Sequence, residues 1–179
     1  VAHIASDNKM GGQLAAEYLI KLIGKNAKVA IVQQPGTESV AARVEGFTET
    51  ANKAGLTIVQ PLLNGKDDTQ ESERAAAAAM LSNPDIKGFF AANDNMAMGA
   101  AAAIGTKDIV LVGYDAAPAA QDMIKKGGVW KADVIQNPNE IGKITIDTID
   151  KFLKGELKAG DTTIKVPVKV SIVDKDSLK

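Results

Sequence analysis

The stretch GFFAANDNMAMGAAAAIGTKDIVLVGYD, residues 88–115, carries the pattern that decides the fold. An apolar run at 88–91 is followed by an alanine-rich stretch of high helical propensity, and then by a second apolar, β-branched run at 109–112. A strand, a helix and another strand within about thirty residues make one crossover unit, because two parallel strands need a long connection between them. The stretch therefore predicts a parallel sheet covered by helices.

The same alternation extends in both directions. Upstream, strands are predicted at 1–5, 28–32 and 57–60, and downstream at 130–135, with helices in most of the gaps. Asp7 and Asn8 can cap a helix beginning near Lys9, Gly24 can end it, and Gly55 ends one that begins near Ser39. Pro84 cannot continue the alanine-rich helix that ends near Asn83, so the chain turns there toward the next strand. The predicted fold class is α/β, a doubly wound parallel sheet. Beyond Gln136 the pattern changes to a helix at about 140–154 and two short extended segments, 162–166 and 169–173, around Pro167. Ile141, Ile144, Thr148, Ile149 and Phe152 fall on one face of that helix, which therefore needs a sheet to cover.

Composition excludes several classes of function. With 45% hydrophobic residues in 179, the chain can bury a core. Its 21 basic and 22 acidic residues leave a net charge of -1, which offers no polycationic surface to nucleic acid. No apolar run reaches the roughly 20 residues of a membrane span. There is no cysteine and a single histidine, His3, so thiol chemistry, cysteine-bound zinc and histidine-based catalysis have almost nothing to work with. His3 reads as a structural histidine within a strand. No phosphate loop or dinucleotide fingerprint is present, and Gly11-Gly12 reads as a close-packed helix end. Neither a catalytic set, a metal nor a cofactor is expected.

In an open parallel sheet, ligands bind beyond the carboxyl ends of the strands. Those positions are polar here. Gln33, Gln34 and Thr37 follow the strand at 28–32, with Arg43 early in the next helix; Asn93 and Asp94 follow 88–91; Tyr114 and Asp115 follow 109–112; Gln136 follows 130–135. Arg43 is a fork-shaped donor, ionised Asp115 only accepts, and Asn93 and Gln136 do both, which suits a ring of hydroxyls. The alternative is that Asn93, Asp94 and Asp115 are helix caps and turn formers, and the pattern leaves both readings open. Asp94 stands where a cap is needed and is read as one. Trp130, at the start of its strand, reads as a packing residue.

The matching stretches His3-Ile4-Ala5-Ser6-Asp7-Asn8, Arg43-Val44-Glu45-Gly46-Phe47, Ala92-Asn93-Asp94-Asn95-Met96-Ala97-Met98-Gly99-Ala100, Val112-Gly113-Tyr114-Asp115 and Gln136-Asn137-Pro138 resemble, in order, those of the ribose-binding-protein family of ABC-importer receptors. The resemblance implies a periplasmic-binding-protein-like fold with flavodoxin-like lobes. It implies a non-enzymatic, extracytoplasmic receptor for a monosaccharide or polyol, which hands its ligand to a membrane permease. The family's sugar-contacting arginine, asparagine, aspartate and hinge glutamine fall on Arg43, Asn93, Asp115 and Gln136. In the loop 62–68 the family places an aromatic side chain that stacks on the sugar, and Asp67 stands there instead, which points to a more polar or more extended ligand. Residues 101–108 are a few shorter than in the family. The resemblance also implies that residues 1–136 form a C-terminal sugar-binding lobe. Residues 137–179 would then carry a hinge crossing, a helix and terminal strands belonging with an N-terminal lobe mostly absent from this sequence. A helix so orphaned points to self-association. Two other readings are the effector-binding core of a lac-repressor-type regulator, for which no helix-turn-helix is found, and a flavodoxin-like enzyme or signalling domain.

Overall fold

In a computed structural model, which describes residues 2–157 and 164–179, the elements follow the predicted alternation. They are β1 (Ala2–Ser6), α1 (Asn8–Ile23), β2 (Lys28–Gln33), α2 (Glu38–Lys53), β3 (Thr57–Ile58), β4 (Leu63–Asn64) and α3 (Thr69–Ser82). Then come β5 (Ile86–Ala91), α4 (Asp94–Ile104), β6 (Val110–Asp115), α5 (Pro118–Lys126), β7 (Trp130–Ile135), α6 (Pro138–Leu153), β8 (Ile164–Val168) and β9 (Ser171–Asp174). The chain divides into two units: Asn8–Ile135 with Ser171–Lys179, and the described residues of Val1–Asp7 and Gln136–Val170.

The larger unit is built on a sheet ordered β3-β2-β5-β6-β7-β9, with β4 also paired to β2. Every pairing is parallel except that of β9 with β7. Val29 to Val32 of β2 are fully buried, as a central parallel strand covered on both faces requires. Right-handed crossovers place helices on opposite faces once the strand order reverses, and the reversal falls between β2 and β5. Accordingly α1 packs on α2, and α3 on α4. Across the α2 face the rings of Phe47 and Phe90 stack with centroids 4.6 Å apart and planes 4° from parallel. The α1–α2 approach is backbone-close, since a Cβ at Gly12 would overlap the Arg43 carbonyl oxygen and one at Gly46 the Lys9 carbonyl oxygen. That is the close-packed helix end read from Gly11-Gly12.

Four elements differ from the sequence reading. The strand expected at 57–60 stops at Ile58, because Pro61 has no N–H for the ladder, and pairing with β2 resumes at β4. β6 runs on to Asp115, so Gly113, Tyr114 and Asp115 belong to the strand rather than to a loop after it. β1, expected among the strands of the main sheet, pairs instead with β8, from Ala2 opposite Ile164 to Ser6 opposite Val168. β9, expected to stay with the tail, joins the larger unit antiparallel to β7, and the Tyr18 hydroxyl of α1 donates to Asp174 Oδ2 at 3.0 Å. Period and propensity describe one strand at a time and carry no information about which partner a short strand meets. Val1 and residues 162–163 of the expected strands lie outside the described residues.

In the smaller unit α6 packs against β1. Asn137 caps it by accepting from the Glu140 N–H at 3.1 Å, and Pro138 occupies the first turn, where no N–H is needed. None of its described residues is fully buried, and Ile146, Ile149, Phe152 and Leu153 are exposed, Leu153 to 77%. Apolar area is worth about 25 cal/mol per Å² when removed from water, so this face retains a drive toward a cover. The chain is expected to self-associate through this face in a sedimentation-velocity concentration series. Phe152→Glu with Leu153→Glu should return it to a monomer; an unchanged monomeric profile for the parent chain removes the expectation.

Candidate functional site

The reversal of strand order between β2 and β5 opens a crevice at the carboxyl ends of the strands, and the first full turns of α2 and the start of α4 flank it. Arg43 enters from α2. The residue is buried, only 6% exposed, so its N–H groups need partners within the protein. Nε donates to Asn8 Oδ1 at 2.9 Å, and one terminal nitrogen donates to the Ala92 carbonyl at 2.7 Å and pairs with Asp115 Oδ1 at 3.1 Å. The plane of the fork lies over the Tyr114 ring, 3.8 Å from its centroid. A fully buried Tyr114 thus supports Arg43 from β6, and a Cβ at Gly11 would overlap that tyrosine's hydroxyl.

Asn93 follows β5 and is the N-cap of α4, with Oδ1 accepting from the Met96 N–H at 2.9 Å. Its Nδ2 donates to Asp67 Oδ1 at 2.6 Å, and Asn95 Nδ2 reaches the same oxygen at 3.1 Å. One N–H and one lone pair of Asn93 remain. Asp67 is exposed and is presented by a tight loop in which Lys66 (φ 53°) and Asp67 (φ 55°) are both left-handed. Asn64 Oδ1 braces this loop by accepting from the Lys66 N–H at 3.0 Å, and Asp68 caps α3. Asp115 ends β6 with its carboxyl at Arg43, in a backbone with φ 104°, followed by Ala116 at φ 57°. Non-glycine residues held there cost of order 1–3 kcal/mol each and persist where their surroundings fix them.

Four of the five residues predicted from sequence therefore form one continuous run, Asp67 to Asn93, then through Ala92 to Arg43 and Asp115. Gln136, the fifth, lies in the smaller unit, where its Oε1 accepts from the Ser6 hydroxyl at 2.6 Å. One assignment is corrected: the cap of α4 is Asn93, and Asp94, read as that cap, instead accepts the Ala117 N–H at 2.7 Å, 23 residues on in sequence. Caps are legible as residue types, but which of two adjacent Asn and Asp side chains folds back depends on where the strand ends. Asn8, a candidate cap in the sequence, is the first residue of α1, and its Oδ1 accepts from Arg43. Asp133 gave no signal beyond an acidic residue at an inward position of a strand. Among the described residues no group of three or more His, Cys, Asp or Glu could hold a metal ion.

The sequence was compared with known proteins. The family model described as periplasmic binding protein domain matches residues 1–157, and the chain belongs to that family. It is 35% identical over 181 residues to the ribose import binding protein of Salmonella typhimurium, an alignment that covers 98% of this chain and 58% of the relative. The D-ribose/D-allose-binding protein of Pseudomonas aeruginosa is 30% identical, with 95% of this chain and 55% of that protein covered. Among solved structures, a periplasmic solute-binding protein from Actinobacillus succinogenes with bound D-allose superposes with TM-score 0.87 at 28% identity, over 99% of this chain and 63% of that one. The chain thus spans a little under two thirds of the length of these relatives. They confirm the α/β periplasmic-binding-protein fold.

The geometry makes Arg43 a structural group. Arg43→Lys, which keeps the charge but loses the fork, is expected to lower the unfolding free energy of the chain by about 1–3 kcal/mol, measured by urea denaturation. A loss below about 0.5 kcal/mol, the range of ordinary surface changes, would mean that the three donors are not holding the crevice together.

Proposed function

We propose that this chain is the sugar-contacting part of a solute-binding receptor that captures a monosaccharide or polyol outside the cytoplasm and delivers it to the permease of an ABC importer. The observation that carries this reading is the run Asp67–Asn93–Arg43–Asp115 at the switch point of the parallel sheet, an alternation of acceptors and donors matched to vicinal hydroxyls. Nothing in the run is arranged for bond breaking: no nucleophile stands beside a base, and the role is recognition without catalysis. Gln136 is kept as a proposed sugar contact on the family resemblance alone. In this reading residues 136–170 pair with further chain of the kind that the longer relatives possess, and residues 8–135 form the lobe that holds Arg43, Asn93 and Asp115.

Asp67 narrows the ligand. An exposed carboxylate oriented by Asn93 and Asn95 accepts hydroxyls and cannot stack on a carbon face, which favours a ligand with a hydroxyl rather than a bare ring edge at that point. D-allose and D-ribose, named for the relatives, are the first probes.

Two outcomes test the proposal. Calorimetry on the 179-residue chain is expected to show no sugar bound tighter than roughly millimolar, about 4 kcal/mol, since a ligand held on one side stays hydrated and competes poorly with water. In a receptor of the relatives' full length, micromolar or tighter binding should appear, and Asp115→Ala should weaken it by about 2–5 kcal/mol, because Arg43 and the sugar hydroxyls lose a desolvated charge. Unaltered affinity in that variant would reduce Asp115 to a turn residue and overturn the site.

A further inference from the structure

Asp133 lies in the middle of β7 with no exposed surface, a costly place for an ionised carboxylate. Trp130 Nε1 donates to its Oδ1 at 2.9 Å. The register slip that sets Leu111 opposite Trp130 and Val112 opposite Ala132 lets side chains three residues apart share a face. Gly113, the cross-strand neighbour of Asp133, leaves the space they use, since a Cβ there would overlap Asp133 Oδ1 and crowd the indole. The second oxygen, Oδ2, is buried and meets no N–H or O–H donor. Asp94 has the complementary lack: its Oδ2 accepts from Ala117, while its Oδ1 is buried without a donor. The two side chains are in hydrogen-bond contact with each other. Two ionised carboxylates repel, whereas a single proton between them satisfies both leftover oxygens.

We propose that at neutral pH Asp133 is a neutral acid that donates its proton to the Asp94 carboxylate, and that this pair is the brace that positions Asp115; the second clause rests on the sugar-site reading above. Asp94 accepts the backbone N–H groups of Ala116 and Ala117, the two residues directly after Asp115. Both Asp115 and Ala116 are non-glycine residues with left-handed φ, so the turn needs a partner that outweighs its strain, and the Asp94 carboxylate supplies it. The Asp133 proton lets Asp94 stay charged toward those amides while its inner oxygen is buried. Burial first, and then the hydrogen bond to Asp94 and its charge, push the Asp133 carboxyl up to about 9, against the Trp130 N–H, which acts the other way. Burial raises Asp94 as well, while its bonds to Asp133, Ala117 and Ala116 and the charge of Arg43 lower it.

The other ionisable groups around the pair leave this assignment intact. Asp115, at the end of β6, acts on Asp133 in the raising direction. On α5, Asp122, Lys125 and Lys126 are exposed, and the β9 residue opposite Asp133 is apolar Val173. On α1, which also packs on β7, Lys9 is engaged with Glu45 and Glu49, Tyr18 with Asp174, and Glu17 and Lys21 are exposed. Because the folded form keeps a proton that the unfolded form has released, the stability that neutral Asp133 contributes is complete below about pH 4, the ordinary carboxylate value, and is lost as pH rises through about 9.

Carbon-13 NMR of the side-chain carboxyls, recorded on the chain across a pH titration, tests this without any sugar, so its failure is distinct from failure of the sugar reading. The Asp133 carboxyl is expected to keep its protonated position through pH 7 and to move only in the alkaline range, with the Asp115 and Ala117 amides moving in the same step. Asp133→Asn, an isostere that donates but cannot ionise, should leave those amides in place at pH 7 and abolish their alkaline step. An Asp133 carbon that titrates near pH 4 overturns the shared proton. Asp115 and Ala117 amides that ignore the Asp133 step overturn the brace, and the parent-chain titration decides both even if the variant fails to fold.

Discussion

A guanidinium taken out of water has to find its hydrogen bonds inside the protein, and the larger unit is organised around that requirement at Arg43. Its partners come from α1 through Asn8, from the end of β5 through the Ala92 carbonyl, and from the end of β6 through Asp115, with Tyr114 beneath. Moving any of these elements by an ångström would leave a buried donor unpaired, at about 1–3 kcal/mol for each. The glycines at 12 and 46 serve the same end, since only their lack of a Cβ lets α1 and α2 approach until Asn8 reaches Arg43. The core packs to suit: the stacked pair Phe47 and Phe90 joins the helix that carries Arg43 to the strand that leads to Ala92.

The same economy of contacts explains why the crevice is polar yet rigid. Each polar side chain is held by a neighbour before any ligand arrives: Asn93 by the amide it caps, Asp67 by two asparagines, Asp115 by Arg43 and by a turn anchored on Asp94. Such mutual bonding orders these side chains in advance. It also separates two functions that one residue type often shares. Asn93 caps a helix and faces the crevice at once, whereas Asp94, its neighbour in sequence, is turned inward to a different loop.

The strand order reverses between β2 and β5, and Arg43, Asn93 and Asp115 lie at that carboxyl edge, whereas Gln136 lies in the smaller unit. The exposed residues Ile146, Ile149, Phe152 and Leu153 give α6 a pattern made for burial that the described residues do not satisfy.

Much of this protein is legible in its sequence because parallel sheets write their pattern locally: β7 is found at 130–135 as expected, and β2 and β5 within two residues at their ends. Arg43, Asn93 and Asp115 are likewise legible, since position after or at the end of a strand determines which residues share the carboxyl edge. What tertiary structure alone decides is pairing across long separations. Whether β1 meets the main sheet or β8, and whether β9 follows the tail or closes on β7, depends on partners more than a hundred residues away or on a short antiparallel edge, neither of which leaves a periodic trace. The inward role of Asp94 and the burial of Asp133 are of the same kind: an acidic residue in a strand or at a helix start looks solvated in sequence, and only the packing of α4 over β6, the strand paired with β7, takes the two carboxyls out of water and sets them against each other.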